Sequence, residues 1–248
     1  MKSVLHITIL SCFLAGFAWQ GCAIAQNGGA GDSSNVMTTT PPSLSSSVQV
    51  SFAEGSWDAS QWTQVKSARW DNRGGWLQRD GHIENTTPQN ASPAAMEGIR
   101  APETYSSMVW NASVGGNFTV VSTMEFDYQM APLIVLAGPL GAAADGFPEF
   151  REHWEVVLWN EGINVWHHQF ADGKPIWHLA ASMKHPFEAK TRYRLEVAVK
   201  RLPQGAEIAV TCGDASFTYM EHELPETVLA GITGCEGINR FYDFKIIL

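Results

Sequence analysis

The sequence predicts an all-β chain folded as a two-sheet antiparallel sandwich, and three observations carry that prediction. Segments that alternate apolar and polar residues recur along the chain, they are punctuated by Gly, Pro, Asn and Asp, and helical periodicity is almost absent.

The first residues read as an export signal rather than as part of the fold. Met1-Lys2, the apolar run Val4 to Trp19 and the small-x-small triplet Ala23-Ile24-Ala25 form a signal peptide over residues 1–25, with cleavage expected after Ala25. The mature protein is therefore expected to be secreted or periplasmic. A lipid anchor on Cys22 is the lesser reading, because Trp19 and Gln20 are poor lipobox residues. No later stretch reaches the length of about 20 apolar residues that a membrane span needs. Residues 26–47 are rich in Gly, Ser, Thr, Asn and Pro and read as a disordered linker. Residues 48–248 are the sandwich domain.

A net charge of -9, with basic residues scattered, removes the electrostatic term on which nucleic-acid binding rests. Beyond the signal peptide only Cys212 and Cys235 remain, and in an oxidising compartment they are expected to pair. No sequence feature specifies an oligomeric state.

Within the domain, Asn117 to Tyr128 places Phe118, Val120, Met124, Phe126 and Tyr128 on one face, against Thr119, Val121, Thr123, Glu125 and Asp127 on the other. Leu133 to Leu136 reads as a short buried strand. Arg192 to Lys200 turns Tyr193, Leu195, Val197 and Val199 inward, and Ile208, Val210 and Cys212 continue the pattern in an adjacent antiparallel strand. Helical turns are expected only at Ser92 to Ile99, with Pro93 at the first position, and near Glu221.

The stretch EHWEVVLWNEGINVWHH, Glu152 to His168, reads as a β-hairpin. His153, Glu155, Val157 and Trp159 share one face, and Trp154, Val156 and Leu158 share the apolar one. A three-residue loop, Asn160-Glu161-Gly162, is expected to pair Trp159 with Ile163. That register sets Glu155 opposite His167, with His153 and Gln169 beside them, and buries Trp166 with Trp154.

The GNFTVVSTMEFDY strand, the EVVLWNEGINVW hairpin, the TRYRLEVAVK strand and the ending GITGCEGINRFYDFKI together resemble the concanavalin A-like jelly roll. That superfamily holds lectins, laminin G-like domains, family 16 glucanases and 3-keto-disaccharide hydrolase domains. The resemblance covers roughly Val48 to the C-terminus and implies a two-sheet antiparallel jelly-roll sandwich that handles sugars on its concave face. Family 16 glucanases carry E-x-D-x-x-E on one strand; here Glu125 and Asp127 supply the first two acids and Met130 stands in place of the third, which argues against their mechanism.

The candidate catalytic residues are Glu155, His167 and His153, because a carboxylate beside imidazoles orients a tautomer and tunes a pKa towards neutrality. Trp159, on the same face, offers a flat apolar platform to a pyranose ring, with its indole N–H for a hydroxyl. Gln169, Asn239, Arg240 and Glu236 are the candidate substrate-binding residues, Arg240 and Asn239 being placed to hold a uronate or hydroxyl from a loop on the rim. No cofactor is expected, and a metal site is a lesser reading of the histidines. Three functions fit: a carbohydrate-recognition domain for a poly- or oligosaccharide, a glycoside hydrolase or polysaccharide lyase built on the His/Glu site, and a structural envelope or adhesion module.

Overall fold

The computed structural model describes residues 41–70, 73–87, 105–128 and 131–248. The expected signal peptide, Cys22 and the helical turn at residues 92–99 lie outside them. Pro42 and Leu44, which composition assigns to the linker, are hydrogen-bonded to Ser113, so the attached chain begins ahead of Val48.

The domain is two antiparallel sheets face to face. The front sheet runs, from edge to edge, β12 (Lys174–Lys184), β11 (Gly162–Ala171), β10 (Glu152–Trp159), β7 (Pro132–Ala137), β16 (Thr227–Cys235), β5 (Tyr105–Gly115) and β2 (Trp62–Val65). The back sheet runs β15 (Ala215–Glu221), β14 (Gly205–Cys212), β13 (Tyr193–Leu202), β6 (Phe118–Phe126), β17 (Asn239–Phe241), β4 (His82–Asn85) and β3 (Trp76–Arg79), with β18 (Asp243–Ile247) joining β6 to β1 (Val48–Ser51). A small hairpin, β8 (Gly141–Ala142) with β9 (Pro148–Glu149), forms a third, two-stranded sheet. The residues near Glu221, expected to be helical, are the end of β15, whose side chains alternate between exposed and covered as on the outer strand of a sandwich.

Side-chain alternation explains which residues meet in the middle. Phe118, Val120, Met124 and Phe126 of β6, with Leu195, Val197 and Val199 of β13, face Trp154, Val156 and Leu158 of β10 across one apolar core. The strand β7 is buried on both faces, as its unbroken apolar run predicts. Ile134 and Leu136 join the central core, while Leu133, Val135 and Ala137 join a second cluster on the outer face of the front sheet.

That second cluster shapes the outer face of the front sheet. Val65, Trp70, Leu140 and Phe150 fold over the outer face of the front sheet, tied down where Lys66 and Glu149 bridge and Phe150 N–H donates to the Lys66 carbonyl. Gly231 in β16 is required for tight pairing, since a Cβ there would lie 2.1 Å from the Met108 carbonyl oxygen of β5.

The expected disulfide is absent. Cys212 lies in the central core on the back sheet and Cys235 in the outer cluster of the front sheet, so the two thiols are held on different layers. Burial pushes the Cys212 thiol up to about 12, which leaves it unreactive.

Candidate functional site

The hairpin forms where expected but turns one residue sooner. Trp159 pairs with Gly162, leaving a loop of Asn160 and Glu161 alone. Gly162 is not the loop residue; it lies where a Cβ would come within 2.0 Å of the Met183 carbonyl oxygen of β12. Its glycine serves the close approach of the neighbouring strand.

One residue of register flips every side chain of β11. Glu155 therefore faces Trp166, and His153 faces His168; His167 faces Trp154, and Gln169 faces Glu152. His167 stacks on Trp154 at 4.2 Å and sets Nε2 3.0 Å from Glu152 Oε1, the same oxygen that takes a hydrogen bond from Gln169 Nε2 at 2.9 Å. Thus His167 and Gln169 leave the expected cluster for the opposite face of the sheet. His168 takes the place assigned to His167, and Trp166 moves from the core to the outer surface.

Glu155 is the centre of a buried polar cluster on the front face. Its Oε1 accepts a 2.6 Å hydrogen bond from the Tyr105 hydroxyl and lies 3.2 Å from His153 Nε2, and its Oε2 is 3.1 Å from His168 Nε2. His168 Nε2 lies against the carboxylate without a well-directed hydrogen bond. All four residues are under a tenth exposed. The rings of Phe150, His153 and His168 stack at 4.3 and 4.7 Å, with Trp177 next at 6.4 Å, which fixes both imidazoles edge-on to the carboxylate. Tyr105 stands on β5, separated from β10 by β16 and β7. Three strand spacings are about 14 Å. Glu155 is also level with Val135 and Gly231 whereas Tyr105 is level with Cys235, four residues or about 13 Å further along the strands, so on a flat sheet the two side chains would not meet and the front face is concave here.

Electrostatics set Glu155 apart from the groups around it. Burial alone would raise the Glu155 carboxyl, but His168 and His153 outweigh it and hold it well below the usual carboxylate range. Burial lowers His153 below the ordinary histidine value, against the opposing pull of Glu155. Burial, with Glu155 beside it, raises the Tyr105 phenol far above its usual value and keeps it protonated as a donor.

The sign for stability follows. An unfolded His153 gains a proton as pH falls through 6.5, which the folded residue resists. Its unfolded form therefore binds more protons, and stability falls. Glu155 repeats this at lower pH, since its stabilisation is present above 4.5 and is lost as pH falls through the depressed folded value. Thermal melts from pH 7.5 downwards are expected to show a progressive loss of Tm, and His153→Gln should flatten the part nearest 6.5; a profile flat in the parent would contradict the burial of both groups.

Above the cluster opens a cleft of about 310 Å³, lined among others by Arg69, Trp70, Glu155, Trp159, Asn164, Trp166, Trp177 and Glu236. Trp159 is there as expected, although its Nε1 is buried rather than open to a ligand. Glu236 is there too. Asn239 and Arg240 are not: both lie on β17 in the back sheet. Asn239 is fully buried, bonding the Cys235 carbonyl. Arg240 is enclosed by Glu125, Asp127 and Glu84. The chain crosses from one sheet to the other between Cys235 and Asn239, which a continuous loop motif does not reveal. A more open depression of about 590 Å³ beside Arg240 is lined by Glu54, Arg79, Asp80, His82 and Glu84 and has no aromatic wall.

Among the described residues, two sets of side chains have ligand atoms within 4.8 Å of one another and could hold a metal ion: His153, Glu155 and His168, and Glu152, His167 and Glu223. Sequence reasoning missed His168, Tyr105, Arg69, Trp70 and Trp177. For His168 the signal was local, since a loop one residue shorter sets it opposite His153. Tyr105 and Arg69 reach the site from distant segments that carry no local mark.

No protein-family model and no curated protein matches the chain. Among solved structures, it is similar to a native glycosidic hydrolase at 11% identity and TM-score 0.52, over 82% of this chain and 96% of that one. A GlcNAcα1-4Gal-releasing endo-β-galactosidase from Clostridium perfringens matches at 7% identity and TM-score 0.53, over 84% and 64%. The VIP36 exoplasmic/lumenal domain in its Ca²⁺/Man3GlcNAc-bound form matches at 11% and 0.50, over 81% and 87%. With the strand order and the sheet register described above, these likenesses give the architecture: the chain has the concanavalin A-like jelly-roll fold.

Proposed function

We propose that the protein is a secreted carbohydrate-recognition domain that binds a poly- or oligosaccharide in the cleft of the front sheet. The observation that carries this reading is the cleft's lining. Four indoles, Trp70, Trp159, Trp166 and Trp177, surround polar groups that include Asn164 and Glu155. A sugar ring offers one apolar face and a rim of hydroxyls, and such a wall matches both. Export rests on the signal-peptide pattern of the first residues, and no helix among the described residues is long and apolar enough to cross a membrane.

A second reading, a glycoside hydrolase or polysaccharide lyase, is favoured by the Glu155 cluster itself. A buried carboxylate, two imidazoles and a protonated phenol are more than a lectin needs. In that reading Glu155, held ionised, orients the imidazoles, and an imidazole takes the proton, since a carboxyl of depressed pKa is a weak base. Binding to a glycan panel and turnover of the glycans bound are the test, on the parent, Trp166→Ala, His168→Gln and Glu155→Gln, with folding checked by thermal melts. Trp166→Ala is expected to lose about fivefold to a hundredfold in affinity, as removal of a stacking ring typically costs about 1–3 kcal/mol. Turnover lost in His168→Gln with binding kept would mark an enzyme. Unchanged binding in Trp166→Ala would sink the cleft as the sugar site.

A further inference from the structure

We infer that the sugar taken by the cleft carries a carboxylate, a uronate, and that the Arg69 guanidinium binds it. This inference rests on the glycan-binding reading and narrows it.

The Arg69 guanidinium carbon lies 4.2 Å from the centre of the Trp70 ring and 4.4 Å from that of Trp177, so indoles accompany the cation on the cleft wall. Cation–π contact stabilises the charge without using any of its five N–H donors. Those donors have no acceptor among the described residues. Every other described arginine has one: Arg73, Arg79, Arg151, Arg192, Arg194 and Arg240 meet carboxylates, and Arg201 donates to the Leu224 and Pro225 carbonyls. The Glu155 carboxylate on the same cleft is already engaged by Tyr105, His153 and His168. A half-buried guanidinium with rings against it and its donor edge unused is built to receive something else.

The geometry of the guanidinium fork selects the ligand. The guanidinium donates in its own plane, and a carboxylate is the planar group that accepts two parallel N–H···O bonds there. A sulfate ester shares the charge but is tetrahedral, so it holds oxygens out of that plane. Stem and head of Arg69 would also be poorly replaced by lysine, which has the charge and neither the fork nor the stacking plane.

Calorimetric titrations test this with oligosaccharides of alginate, pectate and glucuronan, each beside its carboxyl-reduced counterpart, and with a sulfated neutral glycan. At least one uronan is expected to bind about tenfold to a hundredfold more tightly than its reduced form, the range that charge-assisted hydrogen bonds give. Arg69→Gln and Arg69→Lys are expected to erase that preference while still binding the reduced form, which also shows that the cleft is intact. Equal binding of uronans and reduced forms, or a preference for the sulfated glycan, would overturn the inference and leave the glycan-binding reading standing. Binding of none of these, nor of any neutral glycan in the panel, would overturn both.

Discussion

Gly162→Ala is expected to lower the stability of the domain by more than about 3 kcal/mol, at the upper end of what overpacking costs. The added methyl would lie 2.0 Å from a backbone oxygen of Met183, and a backbone cannot rotate aside as a side chain can. Either β12 separates from β11 or the hairpin changes register, and the second takes His168 away from Glu155. Gly173→Ala is the control: Gly173 has a φ of 73° with nothing within 4 Å of its Cβ position. Left-handed strain alone should cost it only about 1–2 kcal/mol. Urea denaturation of both variants separates the two effects, and a Gly162→Ala loss no larger than that of Gly173→Ala would mean that the register is wrong.

Glu155→Ala is expected to be nearly as damaging, by about 3–5 kcal/mol, because it leaves several polar groups buried with nothing to bond. Tyr105 loses its 2.6 Å acceptor and both imidazoles lose the carboxylate they face. Glu155→Gln keeps the shape and one acceptor oxygen, so it should cost less than the alanine variant. Tyr105→Phe removes a single donor and should cost only about 1 kcal/mol. Chemical denaturation of the three variants should reproduce that order. A Glu155→Ala protein within about 1 kcal/mol of the parent would show that the cluster is solvated and not the enclosed network described.

How much of this was legible in the sequence depended on whether the information was local. The strands β6, β13 and β14 were readable from alternation, because a period of two places Val120 or Val197 on a face without knowledge of the partner strand. The same rule placed His153, Glu155 and Trp159 together on β10. It failed on β11 because face there depends on loop length, and a glycine at position 162 reads equally as a turn residue or as a site of close approach. Arg240 and Asn239 looked like rim residues beside Glu236, but the chain changes sheets within those few residues. Tyr105 and Arg69 were beyond reach, since only the order of strands β5, β16, β7 and β10 and the fold-over of the segment around Trp70 bring them to the cleft.

The central claim, that the concave front face is the sugar site, is tested most directly by following the indole N–H resonances of ¹⁵N-labelled protein as a binding glycan is added. Resonances of Trp70, Trp159, Trp166 and Trp177 are expected to shift together in a saturable way, while those of Trp62 in the core and Trp76 on the back sheet stay in place. Saturable shifts confined to Trp76 or the core indoles, with the four cleft indoles unmoved, would contradict the account.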